Sequence, residues 1–188
     1  MAGLIDTIVN NPDIVQSIAE KEGISIDDAG SIIDQLAPIL MGATKENLRS
    51  DKDSSAILKQ ISDSQFHEMY NNPKEAVRRD DLSDMGNIIL GQITGSRENS
   101  RKVAMHVEQK TGMNLDVIKN ILPMIAPFII GALGKMAAPT INNQNQNQNT
   151  QVSHGGGLED ILIGMMDQDH DGSVIDDIGG MIMRQIFS

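Results

Sequence analysis

The feature that most constrains this chain is a stretch of sequence that repeats without a gap. Lys21-Glu22-Gly23-Ile24-Ser25-Ile26-Asp27 stands in register with Lys110-Thr111-Gly112-Met113-Asn114-Leu115-Asp116. The same register lays Leu36-Ala37-Pro38-Ile39-Leu40-Met41-Gly42-Ala43 on Ile125-Ala126-Pro127-Phe128-Ile129-Ile130-Gly131-Ala132. The two units, about 12–43 and 101–132, follow one plan. A helix ends at a glycine free to take the left-handed conformation, an apolar residue follows, and Ser25 or Asn114 caps the next helix. That second helix carries Ala29, Ile32, Ile33, Leu36 and Leu40 on one stripe in the first unit. Ile118, Ile121, Leu122, Ile125 and Ile129 occupy the equivalent places in the second. Each helix then meets a matched proline, Pro38 or Pro127, where the ring removes a backbone donor and predicts a kink or break. Pro123 predicts an earlier bend in the second unit. Gly42-Ala43 and Gly131-Ala132 leave room for a neighbouring helix, and a pseudo-twofold pairing of the units is the expected arrangement.

The rest of the chain is punctuated as helices too. Apolar residues recur at spacings of three and four, and alternating strand patterns are missing. Asn11-Pro12 and Asn72-Pro73 are cap-plus-proline starts. Ser25 with Asp28, and Ser54 with Ser55, mark two more. Residues 45–84 are polar and weakly periodic, predicting short helices with mobile connections. After Pro139 the composition changes: 142–151 is almost entirely Asn and Gln, and Gly155-Gly156-Gly157 follows. With nothing apolar to bury, this tract reads as a linker. Beyond it Leu158, Ile161, Leu162, Met165 and Met166 form one helical stripe, and Ile175, Ile178, Ile182 and Ile186 another. The expected fold is therefore all-α. A bundle over 1–139 contains the duplicated helix-turn-helix unit, a linker covers 140–157, and a C-terminal helix-loop-helix hairpin spans 158–188.

Composition narrows the function. With three Phe, one Tyr, no Trp and twelve Met, the core has to be aliphatic, with methionine filling its irregular gaps. A net charge of −11 and no run of Lys and Arg argue against nucleic acid as a partner. The N-terminal residues carry no basic stretch followed by a long apolar one, so the expected location is cytoplasmic. Residues 121–133 are wholly apolar but shorter than the roughly 18 residues of a membrane span, and Lys119 and Lys135 bracket them, which predicts a buried helix. A membrane role for the last helix is disfavoured because Arg184 is its one basic residue.

Three stretches together resemble a bacterial family of unknown function related to YidB. They are Gly86-Asn87-Ile88-Ile89-Leu90-Gly91-Gln92-Ile93-Thr94-Gly95-Ser96; Thr111-Gly112 leading into Leu122-Pro123-Met124-Ile125-Ala126-Pro127 and Gly131-Ala132-Leu133; and 167–177. The resemblance implies a multihelical bundle and implies no activity.

The third stretch carries the chemistry. Asp167, Asp169 and Asp171 alternate and Gly172 follows, as in the opening of an EF-hand loop. Alternate residues of a tight loop point inward, so three hard carboxylates converge on a cation, and Ser173 offers its backbone oxygen next. The second half departs from that pattern. Ile178 stands where a bidentate Glu closes an EF-hand, so Asp176 or Asp177 has to close a shortened loop, and Asp176 is preferred. Such a site predicts weak binding of Ca²⁺ or Mg²⁺, with a calcium Kd of about 10⁻⁴ to 10⁻³ M. The competing reading is an acidic turn in which Ser173 and Asp176 cap the last helix. His67, His106, His154 and His170 show no zinc-ligand spacing, and Ser54-Ser55 shows no nucleophile elbow. Arg78-Arg79 and the basic residues of 97–102 read as partners of nearby acids. The expectation is a non-enzymatic interaction or structural protein that binds itself or another protein through helix faces. A metal-dependent hydrolase using the Asp cluster is the alternative.

Overall fold

The computed structural model describes residues 8, 11–49, 54–146 and 162–164, with side chains described through 138 and at 162–164. Among them there are helices and no strands. In chain order the helices are α1 (Pro12–Glu22), α2 (Ile26–Arg49), α3 (Ser54–Ile61), α4 (Ser64–Asn71), α5 (Pro73–Arg78), α6 (Leu82–Thr94), α7 (Arg97–Thr111) and α8 (Leu115–Gln146).

Local sequence sets most of the helix ends. Asn11 accepts from the Asp13 amide and Pro12 sits at the first helical position of α1. At its other end Gly23, with φ 66°, turns the chain, and the Ile24 amide donates back to the Ala19 carbonyl at 3.1 Å. The Asp28 amide then donates to Ser25 Oγ at 3.0 Å to open α2. The α7–α8 corner uses the same devices. Gly112 has φ 69° and Asn114 Oδ1 accepts from the Asp116 amide at 2.8 Å. Asn72 precedes α5 as expected but makes no side-chain capping bond.

Both apolar stripes are buried. Ala29, Ile32, Ile33, Leu36 and Leu40 have no exposed surface, and the most exposed of Ile118, Ile121, Leu122, Ile125 and Ile129 reaches 3%. In α8 the burial exceeds a stripe, because every residue of 121–134 is buried. A helix apolar on all sides is a core helix. Over Leu115–Ala138 it is long and apolar enough to cross a membrane, yet 83% of its most apolar 18-residue window lies inside the bundle.

Two expectations need adjustment. Neither Pro38 nor Pro123 nor Pro127 ends its helix: α2 continues to Arg49 and α8 to Gln146. One missing donor removes a single bond from the ladder, and in these helices the flanking turns are held by core packing on both sides. The helical run to Gln146 also takes in the first residues of the tract read as a linker.

The second adjustment concerns what lies against the small residues of α8. The two units do touch, α2 packing on α7 and α8. The intimate neighbours of α8, however, are α4 and α6. A Cβ on Gly86 of α6 would fall on the carbonyl of Pro123, and one on Gly131 would meet the carbonyl of Phe66 and the Tyr70 Cβ. One on Gly134 would meet His67 and the Ile61 carbonyl. The polar stretch 45–84 thus contributes a helix that lies directly on the core element, anchored by Phe66, Met69 and Tyr70 at 3–7% exposure. His67 Nε2 lies 2.9 Å from the Ile61 carbonyl, consistent with the N–H tautomer donating, and the Lys135 ammonium sits 5.2 Å from the Tyr70 ring centroid above the same interface.

Two glycines of α6 should therefore respond oppositely to alanine. Gly86→Ala has to push two backbones apart and is expected to cost about 1–3 kcal/mol or more. Gly91→Ala meets nothing within 4 Å and should stabilise by up to about 1 kcal/mol through helix propensity. Urea unfolding of both variants checks the pair, and equal effects would remove the close α6–α8 approach from the account.

Candidate functional site

The five residues chosen as metal ligands, Asp167, Asp169, Asp171, Ser173 and Asp176, lie outside the described residues, as do His154, His170, Asp177 and the C-terminal hairpin beyond Gly164. Within the described residues no three His, Asp or Glu side chains gather into a group that could hold a metal ion.

Among the described residues a cleft of about 400 Å³ opens between α1 and α5, lined by Ser17, Glu20, Lys21, Lys74, Val77, Arg78 and Asp80. Two polar contacts cross it. Lys21, in the last turn of α1, sends its ammonium across to the Val77 carbonyl at 2.5 Å. Lys74, in the first turn of α5, pairs with Asp13 at 3.6 Å. Lys21 and Arg78 both stand where a helix C-terminus attracts positive charge. The Ser17 hydroxyl donates to the Asp13 carbonyl of its own helix at 2.5 Å, so its proton is held by backbone rather than by a base. Glu20 and Asp80 line the cleft together with Lys21, Lys74 and Arg78, and the two lysines are engaged across it. Chemically the cleft works as a brace that closes α5 on α1.

The other basic residues singled out from sequence are placed as follows. Arg79 grips Asp81 through two bonds, Nε to Oδ1 at 2.9 Å and an Nη to Oδ2 at 2.8 Å. This hydrogen-bonded pair holds the Asp81 carboxyl below its usual range and lies at the entry to α6. Arg97, Arg101 and Lys102 lie on the exposed side of α7.

Sequence reasoning found the Thr-Gly-Ser stretch by resemblance without a structural reason for it. The structure supplies one. Gly95, at φ 75°, turns the chain between α6 and α7, and Ser96 Oγ accepts from the Asn99 amide at 3.1 Å. The Thr94 hydroxyl lies 2.7 Å from the Leu90 carbonyl and 2.9 Å from Ser100 Oγ, and Asn99 Nδ2 donates to the Thr94 carbonyl at 2.7 Å. From α2, the Asn47 amide donates to the Ile93 carbonyl, tying a third helix to the corner. The cleft, by contrast, unites Lys21 with Val77 across 56 residues, and no local pattern announces it.

One histidine sits under tension of a different kind. His106 of α7 has its Nε2 enclosed with no hydrogen-bond partner among the described residues. Burial, and then the nearby charge of Lys110, hold its pKa below the ordinary value of 6.5.

With this architecture in place, the comparisons identify the class. A bundle of helices packed on one buried strut is what a family of bacterial proteins of unknown function, DUF937, covers in this chain: its model matches residues 7–136. The chain belongs to that family. No curated protein and no solved structure matches it.

His106 predicts a pH dependence. As pH falls below about 6.5 the unfolded chain takes up a proton that the folded one resists, so stability is lost on acidification until folded His106 is protonated too. Stability measured between pH 8 and pH 5 should fall less steeply in His106→Gln than in the parent chain. Parallel curves would show that His106 is not the group responsible.

Proposed function

We propose that the chain is a non-enzymatic helical scaffold that acts through protein contacts in the cytoplasm. On this reading its C-terminal Asp loop is a weak site for calcium or magnesium. The observation that supports the scaffold reading is the use made of the family-resembling residues. Gly86 and Pro123 meet at one helix crossing, Gly131 lies under Phe66 and Tyr70 at another, and Thr94, Gly95 and Ser96 build a corner. Residues that characterise an enzyme family typically converge on a reacting centre; these are spread over helix crossings, where their effect is to fix relative helix positions. Ile26, Ile88 and Met105, exposed at 56%, 61% and 49% on three different helices, are the apolar side chains such a scaffold offers to partners.

The ion-site proposal rests on the sequence spacing. Three carboxylates that alternate and then meet a glycine supply inward-pointing oxygen ligands, and helix capping accounts for Ser173 and Asp176 but not for that alternation. In calorimetric titration, calcium at millimolar concentration should produce saturable heat with a Kd of about 10⁻⁴ to 10⁻³ M, abolished in Asp169→Ala. Absence of heat in the parent chain would leave the loop as an acidic turn.

A further inference from the structure

We infer that the bundle holds an apolar docking site for an amphipathic helix, and that its resident occupant is the chain's own C-terminal segment around Leu162. Leu162 lies well past residue 136, where the family match ends. It is nevertheless 1% exposed and belongs to the same buried apolar cluster as the bundle, and Ile163 packs against that cluster. Two residues on, Gly164 is exposed, and a Cβ added there would meet nothing within 4 Å. Residues 162–164 are helical. Burial thus falls along this turn from Leu162 through the half-buried Ile163 to the exposed Gly164, and one face of it enters the core. The sequence extends the same pattern, with Leu158, Ile161, Leu162, Met165 and Met166 at the spacing of a single apolar stripe.

The stretch before it explains why this is docking rather than continuation of the bundle. Residues 142–151 are Asn, Gln and Thr, with no apolar side chain to place the chain on the core. What holds the chain here is the buried Leu162 with Ile163 beside it. A short helix is marginal in water without such a face to bury. Covalent attachment through a tract of this length raises the local concentration of the segment to about the millimolar range, which keeps even a weak helix ligand seated. The site thus fits a short helix presenting adjacent Leu and Ile, and the tether makes the chain's own copy the favoured one. This inference stands apart from the Asp loop and does not depend on whether that loop binds an ion.

The test uses the full chain with a protease recognition sequence inserted after Gln148. After cleavage, the two fragments should co-elute on gel filtration with the light-scattering mass of one chain. Leu162→Glu should release the C-terminal fragment, Leu162→Ala should weaken its retention on the order of tenfold to a hundredfold, and Gly164→Ala should leave it unchanged. Circular dichroism of each uncut variant establishes that the bundle is intact, and if the Glu variant unfolds, the Ala variant decides. Separation of the fragments with Leu162 present, or equal retention in the Leu162 variants, would overturn the inference. So would a dimer of the uncut chain that Leu162 variants return to monomer, since a second copy would then occupy the site.

Discussion

Everything in this bundle depends on how closely other helices approach α8. At three places the distance between helices leaves no room for a Cβ: Gly86 against the Pro123 carbonyl, Gly131 against Phe66 and Tyr70, and Gly134 against His67 and the Ile61 carbonyl. With side chains absent there, α6 and α4 come in at backbone range on different stretches of the same helix. The apolar residues between, from Ile121 through Leu133, are then enclosed on all sides. Close packing of this kind forfeits dispersion contacts quickly when a gap opens, so a small displacement at one glycine is felt along the whole crossing. The outer helices are also tied to one another. α1 and α5 are braced to each other by Lys21 and Lys74, and the α6–α7 corner is tied to α2 by Asn47.

Much of this was legible locally. Gly23 and Gly112 were expected to turn left-handed and do so, Ser25 and Asn114 to cap and do so, and the two aliphatic stripes to be buried, as they are. Those features depend on a few neighbouring residues, and their physics is carried in the sequence itself. The identity of the helix lying on Gly131 was not legible, because α4 is short and its Phe66, Met69 and Tyr70 are set among polar residues that mask their periodicity. The prolines stop short of breaking their helices for a related reason. A proline's effect on a helix in isolation is strong, but Pro123 and Pro127 lie within a fully buried stretch whose tertiary contacts hold the flanking turns. The two units share their corner chemistry while their surroundings differ, α8 being enclosed where α2 keeps an exposed side.

The candidate sites divide along the same line. The Asp loop was read from spacing alone, since a cation site of that type would be written in consecutive residues, and its candidate ligands lie outside the described part of the chain. The α1–α5 cleft joins residues far apart in sequence and could emerge only from the packing. Once seen, its lysines prove to be engaged across the cleft, one with a backbone carbonyl and one with a carboxylate, which gives the cleft a bracing role. The distinctive glycines and the Thr-Gly-Ser corner point the same way, since their chemistry serves the placement of helices.

The central claim is that α8 is the strut on which the fold is assembled, and native-state hydrogen exchange tests it most directly. If the claim holds, the amides of 121–134 should be among the slowest in the chain and exchange only through global unfolding, with protection equal to the unfolding free energy. Those of α1 and α5 should exchange sooner, through local opening. Amides of α8 that exchange by a partial opening while α1 and α2 stay protected would contradict it.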